Sequence, residues 1–197
     1  MRKHIVVAVL AVALLVPGAI AAEDFKIDPA HSSANFAVKH LLVSTVRGRF
    51  ADLSGTIHLD ENDIAKSWVT AVVKAASINT DNDRRDNHLR SADFFDVAKY
   101  PEIRFQSTRI EKRGEQYVAI GNLTIKDVTR QIEVPFTFVT ADARGKKRMG
   151  VEAATKIDRY DYHIEYDKTG TTVGKEVKIE LNLAAAAEPS AAAGAGR

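Results

Sequence analysis

Apolar and polar residues alternate along most of this chain, and that period of two constrains its fold more than any other feature. Ala34, Phe36 and Val38 share one face of a first strand, and Leu53, Gly55, Ile57 and Leu59 share a face in a second. Val69, Ala71, Val73 and Ala75 alternate with Trp68, Thr70, Val72 and Lys74. Pro101, which has no N–H for a ladder, marks the start of the strand that carries Ile103, Phe105 and Ser107. Ala119, Gly121, Leu123 and Ile125 line up next, then Ile132, Val134, Phe136 and Phe138 after a turn at 126–129. Pro135, on the opposite face of that strand, predicts an edge or a bulge. Val151 to Ile157 and Val177 to Leu183 complete the pattern.

Eight strands joined mostly by short turns predict an all-β fold, an eight-stranded antiparallel up-and-down barrel. Closure removes the exposed edges that invite aggregation. Such a barrel is just wide enough to be filled by its own side chains or to hold one slender ligand. The predicted inner faces are aliphatic. Gly55, Gly121, Ala71 and Ala119 lie among them and are expected to leave apolar room, although a barrel packed solid satisfies the same pattern.

The two ends of the chain read differently. Arg2, Lys3 and His4 precede an apolar run from Ile5 to Val16, which Pro17-Gly18 interrupts before Ala19-Ile20-Ala21. This is the layout of a signal peptide over residues 1–21, cleaved near Ala21/Ala22. The run is short of the ~20 residues that span ~30 Å of hydrocarbon, so no transmembrane anchor is expected. The expected domain covers 22–184, and the Ala/Gly-rich stretch 185–197 is expected to be a disordered tail. There is no cysteine, so stability must come from the core. Without Arg2 and Lys3 the 28 Lys and Arg fall to 26, against 26 Asp and Glu. That balance gives no reason to expect a nucleic-acid partner or an anionic membrane.

Asn79 to Asp96 interrupts the strands with five aspartates, three arginines and a histidine. It reads as a short helical insert near residues 82–92, capped through Asp81 or Asp83. Arg85, His88 and Leu89 share a side, and Leu89, Phe94 and Phe95 are expected to press onto one end of the barrel. Arg84, Arg85 and Arg90 are expected to pair with Asp83, Asp86, Asp93 or Asp96. No Gly-x-Ser-x-Gly nucleophile motif is present, and charge-balanced clusters of this kind are more often structural. No catalytic residue is therefore assigned. His31, His40, His58, His88 and His163 lack metal-ligand spacing, and no metal or cofactor is expected.

Several motifs together are similar to one known family. Asp28-Pro29-Ala30-His31-Ser32, Phe36, Val38, His40 and Val46-Arg47-Gly48-Arg49-Phe50 resemble the opening of the YceI-like family. Arg85-Asp86-Asn87-His88-Leu89, Phe94-Phe95-Asp96, Lys99-Tyr100-Pro101 and Phe105-Gln106-Ser107-Thr108 resemble its middle. Gly121-Asn122-Leu123-Thr124-Ile125 and Val173-Gly174-Lys175-Glu176-Val177 resemble its close. The resemblance runs in order from about residue 25 to 183. Asp127 and His163 depart from it, since glycine is usual at both places.

The resemblance implies a lipocalin-like exported barrel that holds a polyisoprenoid or other long-chain amphiphile, and no catalytic activity is established for the family. The expected cavity lining is Phe36, Val38, Leu53, Ile57, Val73, Phe105, Leu123, Phe136 and Ile179. His31, Arg85 and His88 are the expected head-group contacts. A periplasmic or secreted location follows, and a homodimer is left open. Two alternatives stand beside this reading. One is an enzyme acting on a lipid or quinone head group through Arg85, Asp86 and His88. The other is a filled-barrel stress or interaction module.

Overall fold

The computed structural model describes residues 22–188, so the expected signal segment and residues 189–197 lie outside the described residues. In chain order the strands are β1 (Glu23–Ile27), β2 (Ser33–His40), β3 (Ser44–Phe50), β4 (Leu53–Leu59), β5 (Trp68–Lys74) and β6 (Ile78–Asn79). The helix α1 (Asp83–Arg90) follows. Then come β7 (Glu102–Arg113), β8 (Gln116–Ile125), β9 (Val128–Ala143), β10 (Lys146–Asp158) and β11 (Val173–Ala187).

These eleven segments occupy eight positions around one closed antiparallel barrel. β11 pairs with β2 along 173–182 and with β1 along 185–187, so β1 and β2 are two halves of one staggered strand. β4 pairs with β1 while β3 pairs with β2, which makes a second composite. β5 pairs with β4 and β6 with β3, which makes a third. The expectation of eight strands thus holds for the barrel. β1, β3 and β6 supply strand where none was predicted.

The end of the chain differs from expectation as well. Residues 185–187 are not tail: Ala185, Ala186 and Ala187 pair with Ile27, Lys26 and Phe25, and Ala185 is buried. Their small side chains permit close packing against Phe25, which is fully buried.

The two barrel ends are built unlike one another. The lower end carries both termini of the described chain, the loop 60–67 and the tight turns at 114–115 and 144–145. It is packed by Phe25, Ile27, Ile57, Leu59, Met149 and Val151. Ile64 packs against this cluster and against the neighbouring Ile110–Ala119–Val134 group, closing the barrel from below.

At the upper end the ladders part in two places. Pairing of β5 with β7 stops at Lys74–Glu102, and β6 continues on β3 alone. Pairing of β9 with β10 stops at Ala153–Phe136, immediately beside Pro135. Without an N–H, proline cannot extend a ladder, so the edge predicted at Pro135 is where the sheet opens.

Both openings are filled by inserts. α1 and residues 91–101 cover the first. Asn82, not Asp81 or Asp83, caps α1, its side chain accepting from the Arg85 N–H. Eight residues, seven of them polar, are too few to hold a helix alone. Tertiary bonds anchor it: Arg90 donates to the Ala76 and Ile78 carbonyls, and buried Asp86 accepts from the N–H and hydroxyl of Thr80. The expected arginine–aspartate pairs are absent from the insert among the described residues. Arg85 bonds Thr80 instead, and the ion pair that forms is His88 with Asp93. Backbone carbonyls left free where the ladder parts are the stronger competitors for guanidinium donors.

The second opening is filled by Arg159–Ile164. Arg159 is buried and donates to the carbonyls of Ile164, Asp167, Val173 and Gly174, with a further bond to the Tyr160 hydroxyl. Among the described residues it has no carboxylate partner, and burial pushes its guanidinium pKa down. Tyr162 beside it is buried with its hydroxyl unpartnered.

These two neighbours should respond oppositely to truncation. Arg159→Met strips several buried carbonyls of their donor and is expected to cost about 2–4 kcal/mol. Tyr162→Phe removes an unpaired buried hydroxyl and is expected to be neutral or stabilising. Urea denaturation of the two variants measures both.

Candidate functional site

Side chains of alternate parity on all eight barrel positions enclose a cavity of about 270 Å³. That is near the lower end of small-molecule sites, yet the cavity is long. Along β11 it is lined from Val173 to Leu183, roughly 25 Å once a strand rise of ~3.3 Å is corrected for barrel tilt. A small volume spread over that length is a slender tube.

The lining is hydrocarbon. Apart from Asn35, His58, Ser67, Thr155 and Arg159, every lining residue is apolar. All five have a polar atom engaged within the protein: Asn35 donates to Ser33 Oγ, Ser67 Oγ accepts from the Asp60 N–H and Thr155 Oγ1 donates to the Glu133 carbonyl. The His58 ring stacks on Trp68 at 5.4 Å and bonds Asp24 at 2.6 Å, and Arg159 is committed to the carbonyls named above. Among the described residues no pair of titratable groups converges on the interior to act as acid and base.

Phe36, Val38, Leu53, Ile57, Val73, Phe105, Leu123, Phe136 and Ile179 all lie on the cavity wall. Phe36, Phe105 and Phe136 keep part of their surface uncovered by protein, as expected for walls of a void. Ala71 and Ala119 also line it, but Gly55 and Gly121 do not provide the room expected of them. A Cβ at Gly121 would stand 2.7 Å from the Phe105 ring and 2.5 Å from the Gln106 carbonyl. One at Gly55 would stand 2.2 Å from the Thr70 carbonyl. Their lack of a side chain is spent on close packing of the wall.

Sequence reasoning missed several wall residues. Phe50 and Ile78 belong to strands that were not foreseen, although Val46, Gly48 and Phe50 do alternate. Phe50 lies 5.7 Å from Phe36 and 5.6 Å from Phe95, linking the wall to the flap. Arg159 and Ile164 were missed because a charged residue and a turn carry no inward-facing period. Phe94 is buried against Leu123, Ile125, Tyr162 and Ile164, so the insert does press onto the barrel end.

The three expected head-group residues do not come together. His31 is exposed beside the β1–β2 junction, bonded to Asp28 at 2.9 Å, well below the upper rim. Arg85 and His88 lie on the outer side of α1 with Asn82 and Arg84, in a shallow depression apart from the tube. His88 meets the edges of Phe94 and Tyr166 at 5.0 and 4.9 Å. Asp86 is buried under Thr80 and is not available as a base. The cluster is bonded as the support of a flap. Among the described residues no group of three His, Cys, Asp or Glu side chains could hold a metal ion.

Two residues that depart from the family pattern meet at the upper rim. His163 adopts a left-handed conformation (φ 55°) and its Nδ1 lies 3.4 Å from Asp127 Oδ1. Lys126 Nζ donates to the His163 carbonyl at 2.8 Å. In the 126–127 turn, Lys126 and not Asp127 takes the left-handed position.

Asp167 organises the rest of this rim. Its carboxylate accepts from Thr169 Oγ1 and from the Thr169, Thr172 and Val173 N–H groups, which lowers its pKa to about 2. A depressed carboxyl pKa contributes order above the ordinary carboxylate range, and that contribution is lost as pH falls through about 2. NMR titration should show the Thr172 and Val173 amide shifts following this acid transition. Asp167→Asn should abolish it.

Comparison with known proteins adds to this geometry. The profile of the YceI-like domain matches residues 25–185. A UPF0312 protein of Vibrio vulnificus is 37% identical over 185 residues, 91% of this chain and 98% of that protein. The crystal structure of the Campylobacter jejuni YCEI protein superposes with a TM-score of 0.70 at 31% identity, covering 77% of this chain and 90% of that one. A polyisoprenoid binding domain from Saccharophagus degradans shares the fold, with a TM-score of 0.65 at 18% identity over 83% of this chain and 98% of that one. Among the described residues no helix is long and apolar enough to cross a membrane.

Proposed function

This chain belongs to the YceI-like family, and from that premise we propose that it is a binding protein, not an enzyme, which encloses a polyisoprenoid or similar long-chain amphiphile in its barrel. The observation that carries the reading is the tube itself, long, slender and lined almost wholly by hydrocarbon. The name of the Saccharophagus degradans domain, which shares the fold, agrees with such a ligand.

Each methylene taken from water into the tube contributes ~0.8 kcal/mol, before the cost of ordering the chain is subtracted. A tail lying against Phe36, Val38, Leu53, Ile57, Val73, Phe105, Leu123, Phe136 and Ile179 gains this along most of its length. A polar head finds no partner inside and is left at the upper end, where the flap and the 159–172 loop form the rim. Arg85 and His88 are the head-group candidates nearest that end. The protein acts in the periplasm after removal of residues 1–21, as a carrier or store for its lipid.

Native mass spectrometry of protein purified from its own cells is expected to show a co-purifying lipid. An empty protein that also takes up no added polyprenyl compound overturns the reading. Leu123→Trp places a large ring on the tube wall and is expected to reduce polyprenyl uptake by at least about tenfold while the barrel still folds. Unchanged uptake would mean that the tube is not the binding site.

A further inference from the structure

The β2–β3 hairpin ends in Leu41-Leu42-Val43, and all three side chains are exposed, by 55, 67 and 83%. Leu41 and Leu42 also hold left-handed backbone conformations, at φ 50° and 62°. Leucine gains nothing from that conformation, which is unfavourable for every residue with a branched or bulky side chain. The tip therefore combines backbone strain with lost burial.

Its position is informative. Leu41 N–H donates to the Thr172 carbonyl, and His40 pairs with Val173, which lines the tube. The tip thus stands on the rim of the upper end. Among the described residues, four of the six large exposed apolar residues lie at that end: Leu41, Leu42, Val43 and Tyr166.

The charges of the hairpin itself have one sign. Between Asp28 and Asp52 the sequence has no carboxylate, while it carries Lys39, Arg47 and Arg49. The register puts these three on the outer face, opposite in parity to Phe36 and Val38, and all three are exposed. None of them forms an ion pair among the described residues. The nearby Asp167 carboxylate is taken up by Thr169, Thr172 and Val173.

From an apolar tip backed by unpaired cations, on the rim of a hydrocarbon tube, we propose that the β2–β3 hairpin docks the mouth of the barrel onto an anionic lipid bilayer. Leu41, Leu42 and Val43 enter the interface, and Lys39, Arg47 and Arg49 face the anionic head groups. Docking rests on the proposed lipid-binding role for its purpose, giving a lipid a path between bilayer and tube that avoids water. As a contact with a membrane it stands on the hairpin alone.

The test uses the full chain, with wild type and variants in parallel so that the N-terminal apolar run is common to all. Leu42→Trp puts a reporter at the tip, with Trp68 at the far end of the barrel as the wild-type background. Phosphatidylglycerol-containing vesicles are expected to shift its emission to the blue, and lipids brominated on their chains to quench it. An unshifted, unquenched Leu42→Trp overturns the proposal even if the chain sediments with vesicles. The double variant Leu42→Glu/Val43→Glu is expected to lower vesicle affinity at least about tenfold. Arg47→Glu should weaken binding about fivefold or more on anionic vesicles and leave binding to phosphatidylcholine vesicles unchanged. Equal loss on both vesicle types overturns the electrostatic part. A wild-type dimer in ultracentrifugation that Val43→Glu dissociates, with no vesicle response, would assign the tip to a second copy and overturn docking.

Leu123→Trp keeps the two readings separate, because it should dock as wild type does while losing lipid uptake. In the wild-type chain, uptake without docking overturns the hairpin proposal alone, and docking without uptake overturns the tube as the binding site.

Discussion

Closure of the sheet along β11 is the constraint on which the rest of this protein depends. That one strand pairs with β10 over its length, with β2 along its upper part and with β1 along its lower part. Every other strand is in place because this seam is shut. Closure satisfies the backbone without an edge, and it forces alternate side chains of eight strands to face a common axis. An apolar axial tube follows from that geometry once the inward residues are aliphatic or aromatic and too few to fill it.

A barrel sealed along its whole height would have no mouth. Here the ladders part at the upper end between β6 and β7 and between β9 and β10. Each opening leaves backbone groups that must find partners, and each is met by arginine. Arg90 serves the carbonyls at 76 and 78, and Arg159 those at 164, 167, 173 and 174. A guanidinium with five donors in a fixed fork suits that task, which explains why these cations are bound to backbone and not to the abundant aspartates nearby. The inserts so anchored bring Phe94, Phe95 and Ile164 over the tube, and the rim combines rigid wall with separable cover. The exposed hairpin tip stands on the same rim, so the apolar interior and the apolar exterior of the protein meet at one end.

Much of the wall was readable from the chain. Period-two alternation makes Phe36, Val38, Leu53, Ile57 and Leu123 face one way, and one face must be buried, so their side is set by local geometry. The same logic failed for Gly55 and Gly121, because whether a missing side chain leaves a void depends on what the next strand places there. It failed again for the insert. Its aspartates and arginines are close in sequence, but Thr80 and the β6 carbonyls are closer in space.

The sequence by itself determined that this chain is an antiparallel β-barrel, which residues face its axis and where a polar insert breaks the strands. Those properties reside in spacing of two along a single strand, and in the chemistry of proline and aspartate at its ends. Only the tertiary structure decided that β1 and β3 complete the staves and that the axis stays open as a tube. It also decided that the charged insert is a bonded flap and that Leu41 to Val43 are left bare on the rim. These depend on which residues meet across a closed sheet, and that is a property of register between strands far apart in the chain.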